Sequence, residues 1–82
     1  MMSAAELLLS RTDLSPEGRV IAEVLCKLGG YVSFRIIARR TGLELGTIAR
    51  VIRGFEASGL VQIRPSLHRD EQGARVITEG RA

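Results

Sequence analysis

Apolar residues recur along this chain at two spacings, and the change from one to the other divides it into helices followed by strands. Val20, Ile21, Val24, Leu25 and Leu28 recur at i, i+1, i+4, i+5 and i+8, the broad stripe of a helix over residues 16–28. Ile48, Val51, Ile52 and Phe55 follow at i, i+3, i+4 and i+7 and predict a second long helix over 45–58. Between them Phe34, Ile37 and Ala38 mark a shorter one over 34–41. Beyond Gly59 the period becomes two. Val61 and Ile63 alternate with Gln62 and Arg64, a half-exposed strand, residues 65–73 are polar and turn-rich, and 74–78 reads as the return strand.

Start and stop signals sharpen these spans. Ser3-Ala4-Ala5-Glu6 fits the S-x-x-E capping box and opens a short helix over 4–10 that carries Leu7, Leu8 and Leu9. Alone such a helix is unstable in water, so it must dock on the rest of the domain or on a second copy. Ser15-Pro16-Glu17 is another start, with Ser15 as N-cap and Pro16 at the first helical position, and Gly29-Gly30 ends that helix. Ser33 caps the 34–41 helix, Gly42 closes it, and Leu43 follows as a buried turn residue. Tyr31 and Val32 are extended, a candidate strand of a small sheet.

The order helix, helix, helix, strand, loop, strand is that of a winged helix-turn-helix. The expected fold class is therefore mainly α with a small β-wing: a three-helix core, a two-stranded antiparallel hairpin and a short extra N-terminal helix. Residues 1–14 are expected as the short helix, a linker and a candidate dimerisation element, and 15–82 as the winged-helix domain.

Composition narrows the function. The chain has 82 residues, 45% apolar and 26% charged, as in a soluble globular protein. A chain this short buries only roughly 60–65% of its unfolded surface, so each large apolar side chain matters. The net charge is +3 and unevenly placed: residues 1–32 hold three basic and four acidic groups, residues 33–82 nine and five. Eleven of the twelve cations are Arg, whose planar fork suits phosphate and guanine edges. One-sided basicity points to a polyanionic partner, although Arg-rich codon usage would raise the same count.

Other classes recede. The single Cys26 cannot close an internal disulfide and is expected to be a buried structural thiol, with a redox-sensing thiol as the alternative. The N-terminal apolar run is three leucines, far short of a span of about 20 residues, so a cytoplasmic location is expected. One His, one Cys and scattered carboxylates assemble no nucleophile–base pair, metal cluster or phosphate-cradling loop. No enzyme, cofactor, metal or small-molecule ligand is expected.

With Ile48, Val51, Ile52 and Phe55 committed inward, Gly46, Thr47, Ala49, Arg50 and Arg53 are expected to face outward and read bases in a major groove. Ser33, Arg35, Arg39 and Arg40 belong to the supporting helix, which crosses the backbone in such domains, and are expected at phosphates, at most two of the three arginines facing the same way. Arg64, His68, Arg69 and Arg75 line the presumed wing, near the backbone or minor groove. Ordinary solvated surface charge is the plain alternative for all of them. Tyr31 is ambiguous between strand anchor and phosphate contact.

In these residues the chain resembles the winged-helix DNA-binding domain of MarR-type bacterial regulators, over about residues 31–81. Gly42-Leu43 stands at that family's turn, and Thr47-Ile48-Ala49-Arg50 is similar to its T-V-x-R reading-helix start. Phe55-Glu56-Ala57-Ser58-Gly59-Leu60-Val61 is similar to its L-E-x-x-G-L-V exit, which many winged-helix families share. Asp70, Arg75, Val76, Ile77, Thr78, Gly80 and Arg81 echo its D-x-R…V-x-L-T-x-x-G-R tail with altered spacing. The resemblance implies a transcriptional regulator that binds duplex DNA as a homodimer.

Three departures stand out. Glu44 occupies the N-cap position, where it caps poorly, and Gly54 inside the helix costs about 1 kcal/mol relative to Ala. The family continues into long C-terminal helices that make its dimer, so dimerisation here is expected by other means, through the helix bearing Leu7, Leu8 and Leu9. A protein-interaction module within a larger assembly is the rival reading, supported by Glu44, Gly54 and the acidic residues of the wing.

Overall fold

A computed structural model of the protein describes residues 3–66 and 71–77. Four helices and a three-stranded antiparallel sheet make up the described residues, in the order α1 (Ala4–Ser10), α2 (Pro16–Leu28), β1 (Val32–Ser33), α3 (Phe34–Thr41), α4 (Leu45–Ala57), β2 (Val61–Arg64) and β3 (Gly73–Val76). The expected helix spans hold to within a residue. β2 and β3 form the expected antiparallel hairpin, and β1, at the candidate strand near Tyr31-Val32, adds a third strand in the order β1-β3-β2, with Val32 opposite Ala74 and Ile63 opposite Ala74 on the other side. Two further bonds extend this pairing, Phe34 N–H to Gln72 O at 2.7 Å and Ile77 N–H to Leu60 O at 3.0 Å.

Local chemistry accounts for most helix ends. Ser3 and Glu6 form the reciprocal capping box, Glu6 N–H donating to Ser3 Oγ at 3.2 Å and Ser3 N–H to Glu6 Oε1 at 2.8 Å. Ser15 Oγ accepts from Gly18 N–H at 3.0 Å, and Ser33 Oγ from Ile36 N–H at 3.2 Å. Gly42 ends α3 at φ 76°, ψ 7°, a left-handed conformation that reverses the chain within a few residues. Thr41 Oγ1 braces this turn, donating to Ile37 O at 2.7 Å and accepting from Leu43 N–H at 3.2 Å. α4 starts differently: Glu44 is its N-cap and makes no side-chain bond to the helix amides.

The core is aliphatic apart from two phenylalanines. Ile21 and Leu25 of α2, Phe34 and Ile37 of α3, Ile48, Ile52 and Phe55 of α4, and Val32, Val61 and Ala74 of the sheet are all buried together. Leu8 of α1 belongs to the same cluster with no exposed surface. This corrects the expectation that Leu7, Leu8 and Leu9 jointly form a dimer contact, since Leu8 points into its own domain. Leu7 and Leu9, each about 100° round α1 from Leu8 on either flank, stay exposed.

Further bonds tie the 3–14 segment to the remainder. Arg19 Nη2 donates to Arg11 O at 2.8 Å, and Arg11 Nη1 to Ser58 Oγ at 3.3 Å beyond the end of α4. Arg11 also pairs with Asp13 at 2.8 Å, and its hydrogen bonds hold the Asp13 carboxyl below the usual carboxylate range. α1 thus shares one core with the helices and sheet that follow it.

Candidate nucleic-acid interface

α4 presents two unlike faces. Ile48 and Ile52 have no exposed surface and Phe55 almost none, whereas Gly46, Arg50, Arg53 and Gly54 are exposed. Arg50 stands at the middle of the outward face, with Gly46 one turn before it and Gly54 one turn after. Around both glycines there is open space, so the α4 backbone is bare on either side of the Arg50 side chain. Among the described residues neither Arg50 nor Arg53 has a hydrogen-bond or ion-pair partner. Thr47 is half-buried at the edge of this face.

Ala49 does not belong there. It is only 6% exposed and lies within the core cluster, which corrects its expected place among base-reading positions. The reason is angular. Ala49 follows Leu45 by four residues and precedes Ile52 by three, so it flanks the buried stripe, and its methyl group extends no further than its neighbours' side chains. The outward set on α4 is thereby reduced to Gly46, Thr47, Arg50 and Arg53.

The mouth of α4 is chemically open. The first amides of a helix lack intrahelical acceptors, and here no side chain caps them. Their partial positive charge faces solvent beside the Glu44 carboxylate, which is itself exposed.

The three arginines of α3 divide between two sides. Arg35 and Arg39 line a depression of about 280 Å³ with Ser33, Ile36 and Glu71. Arg40 instead lines a groove between α2 and α3 with Val20, Glu23, Val24, Lys27, Leu28 and Thr41. Consecutive helical residues point roughly 100° apart, which is why Arg39 and Arg40 line different depressions. The oxygen of Ser33 is already engaged as the α3 cap.

Arg64 and Arg75 stand on the outer face of the sheet. The guanidinium carbon of each is 4.9 Å from the centre of the Tyr31 ring, within cation–π range. Gln62, across from Arg75 in the β2–β3 register, accepts from Arg75 Nε at 2.9 Å and from the Tyr31 hydroxyl at 3.3 Å. Tyr31 is therefore a support for two cations. Gln62 is a positioning residue that sequence reasoning missed, because only the cross-strand register pairs it with Arg75. His68 and Arg69 lie outside the described residues.

Two other groups bear on the chemistry. Cys26 is partly buried on α2, and desolvation pushes its thiol up, away from the reactive thiolate. Among the described residues no three His, Cys, Asp or Glu side chains are grouped to hold a metal ion, and no helix is long and apolar enough to cross a membrane. Compared with known proteins, the chain matches no family model, no curated protein and no solved structure.

Proposed function

We propose that this chain is a winged-helix module that binds double-stranded DNA, with α4 in the major groove, as a small transcriptional regulator of MarR-like type. One observation carries the reading. A helix whose inner face is fully buried turns outward two unpartnered arginines set on bare glycine backbone. Rigid burial positions the helix, the glycines permit close approach to base edges, and a bidentate Arg–guanine pair contributes roughly 1–3 kcal/mol of discrimination.

Arg35 and Arg39 of α3 supply charge for the phosphate backbone, and the uncapped amides of α4 add donors for a phosphate oxygen. Arg64 and Arg75, braced on Tyr31, extend the basic surface along the sheet. A cytoplasmic site of action accompanies this role.

Two acidic side chains favour a second reading, a module that binds another protein. Glu44 stands at the open mouth of α4, and Glu71 lies in the same depression as Arg35 and Arg39. Both repel phosphate. A mobility-shift titration with random-sequence duplex at several salt concentrations separates the readings. DNA binding that weakens steeply with salt supports the regulator, and no affinity at low salt leaves the protein-binding module.

A further inference from the structure

The depression beside α3 holds a carboxylate as well as its two arginines, and the backbone accounts for this. Phe34 N–H, the first amide of α3, donates to Gln72 O at 2.7 Å. That bond fixes residue 72 against the first turn of α3 and brings its neighbour Glu71 to the same end of the helix. There Glu71 lines the depression of about 280 Å³ together with Ser33, Arg35, Ile36 and Arg39. Glu71 is exposed, and its Oε1 accepts from Ser66 Oγ at 3.5 Å. Two guanidinium groups and the positive end of a helix attract anions to such a place. The chain sets its own anion there.

We infer that Glu71 is an internal competitor for a DNA phosphate, and that it sets how tightly the chain holds any duplex. Its carboxylate offsets part of the positive charge that Arg35 and Arg39 present. The inference rests on the proposed DNA reading and adds to it a residue that limits affinity without reading sequence. Arg39 has no ion-pair partner among the described residues, so Glu71 acts on it through its field rather than by a bond. Ions screen such a field over about 8 Å at physiological ionic strength. The effect of Glu71 is therefore largest at low salt, where binding to unrelated sequences is also strongest.

Neither Arg50 nor Arg53 lines this depression, so the carboxylate leaves the base contacts of α4 as they are. The acidic side chain that counts against phosphate binding thus gains a role within it. It holds down the affinity that does not depend on sequence.

The test is a fluorescence-anisotropy titration of the full chain and its Glu71→Gln variant at several salt concentrations. Random-sequence duplex and duplexes varied at single positions are the probes. Gln keeps an oxygen for Ser66 and removes only the charge, so far-UV circular dichroism should match the parent. Glu71→Gln should bind every duplex about three- to tenfold more tightly at low salt. It should lose most of that gain at high salt and keep the parent's order of preference among sequences. Glu23→Gln changes the net charge equally but in the groove between α2 and α3, and should bind like the parent. Parent-like binding by Glu71→Gln, an equal gain from Glu23→Gln, or an altered sequence preference would overturn the inference and leave the DNA reading standing. No binding of duplex by parent or variant at low salt would remove the DNA reading and this inference with it.

Discussion

Arg75 Nε donates to Gln62 Oε1 at 2.9 Å, directly across the β2–β3 ladder, and the same Gln62 oxygen accepts from the Tyr31 hydroxyl. Three strands are joined on one face by this row, because Tyr31 immediately precedes β1. Arg75 keeps its remaining N–H groups for a partner while its position is held from two sides. Replacing Tyr31 therefore tests the support of two cations together. Tyr31→Ala should destabilise the fold by about 1–2 kcal/mol, the worth of two exposed cation–π contacts. Tyr31→Phe, which loses only the hydroxyl bond, should cost about 0.5–1 kcal/mol. Urea denaturation of both variants measures the difference, and equal losses would show that the ring gives no support.

The outward arginines should separate by role. Arg50→Ala is expected to lose roughly 1–3 kcal/mol of preference at one base pair. Arg39→Ala should weaken binding to all sequences alike and reduce the salt-dependence slope by about one unit. Competition titrations with duplexes varied at single positions, repeated at several salt concentrations, measure both quantities. Unchanged binding and discrimination in both variants would remove α4 and α3 from the interface.

Two glycines should respond to Ala with opposite signs. Gly54 lies within α4 with open space around it, so Gly54→Ala should raise stability by about 0.5–1 kcal/mol. Gly42 has φ +76°, where a Cβ is strained, and Gly42→Ala should cost about 1–2 kcal/mol. Midpoint shifts in urea with unchanged slope report each effect. A destabilised Gly54→Ala would mean that the α4 backbone does not tolerate Ala there.

Leu8 and Leu7 are neighbours in α1 with unlike surroundings, one fully buried and one 43% exposed. Leu8→Ala should cost about 2–5 kcal/mol, enough to unfold much of a domain of marginal stability. Leu7→Ala should shift stability by no more than about 0.5 kcal/mol. Thermal unfolding followed by circular dichroism distinguishes them, and equal tolerance of both would detach α1 from the core.

Much of the fold was legible before any coordinates, because helix spans follow from repeats and end signals a few residues apart. Pro16 after Ser15, Gly42 after Thr41 and the stripe Ile48-Val51-Ile52-Phe55 act locally, and the bounds of α2, α3 and α4 match them closely. The outward position of Arg50 and Arg53 follows from the same periodicity.

What local pattern could not decide was anything that depends on which distant segment packs where. Three consecutive leucines in α1 look alike in sequence, and only docking on α2 separates Leu8 from its neighbours. Ala49 borders a stripe whose width is set by adjoining elements, so its burial required the packed structure. β1 holds only two residues, too few for a period, and it entered the sheet by pairing with β3 about forty residues later. Tyr31, Gln62 and Arg75 came together through that pairing. Helix limits and the exposed arginines of α4 were thus determined by the sequence itself, through interactions within one or two turns. The destinations of Leu8, Ala49, Arg40 and Tyr31 were decided by tertiary structure, since strand register and helix docking join residues that are far apart along the chain.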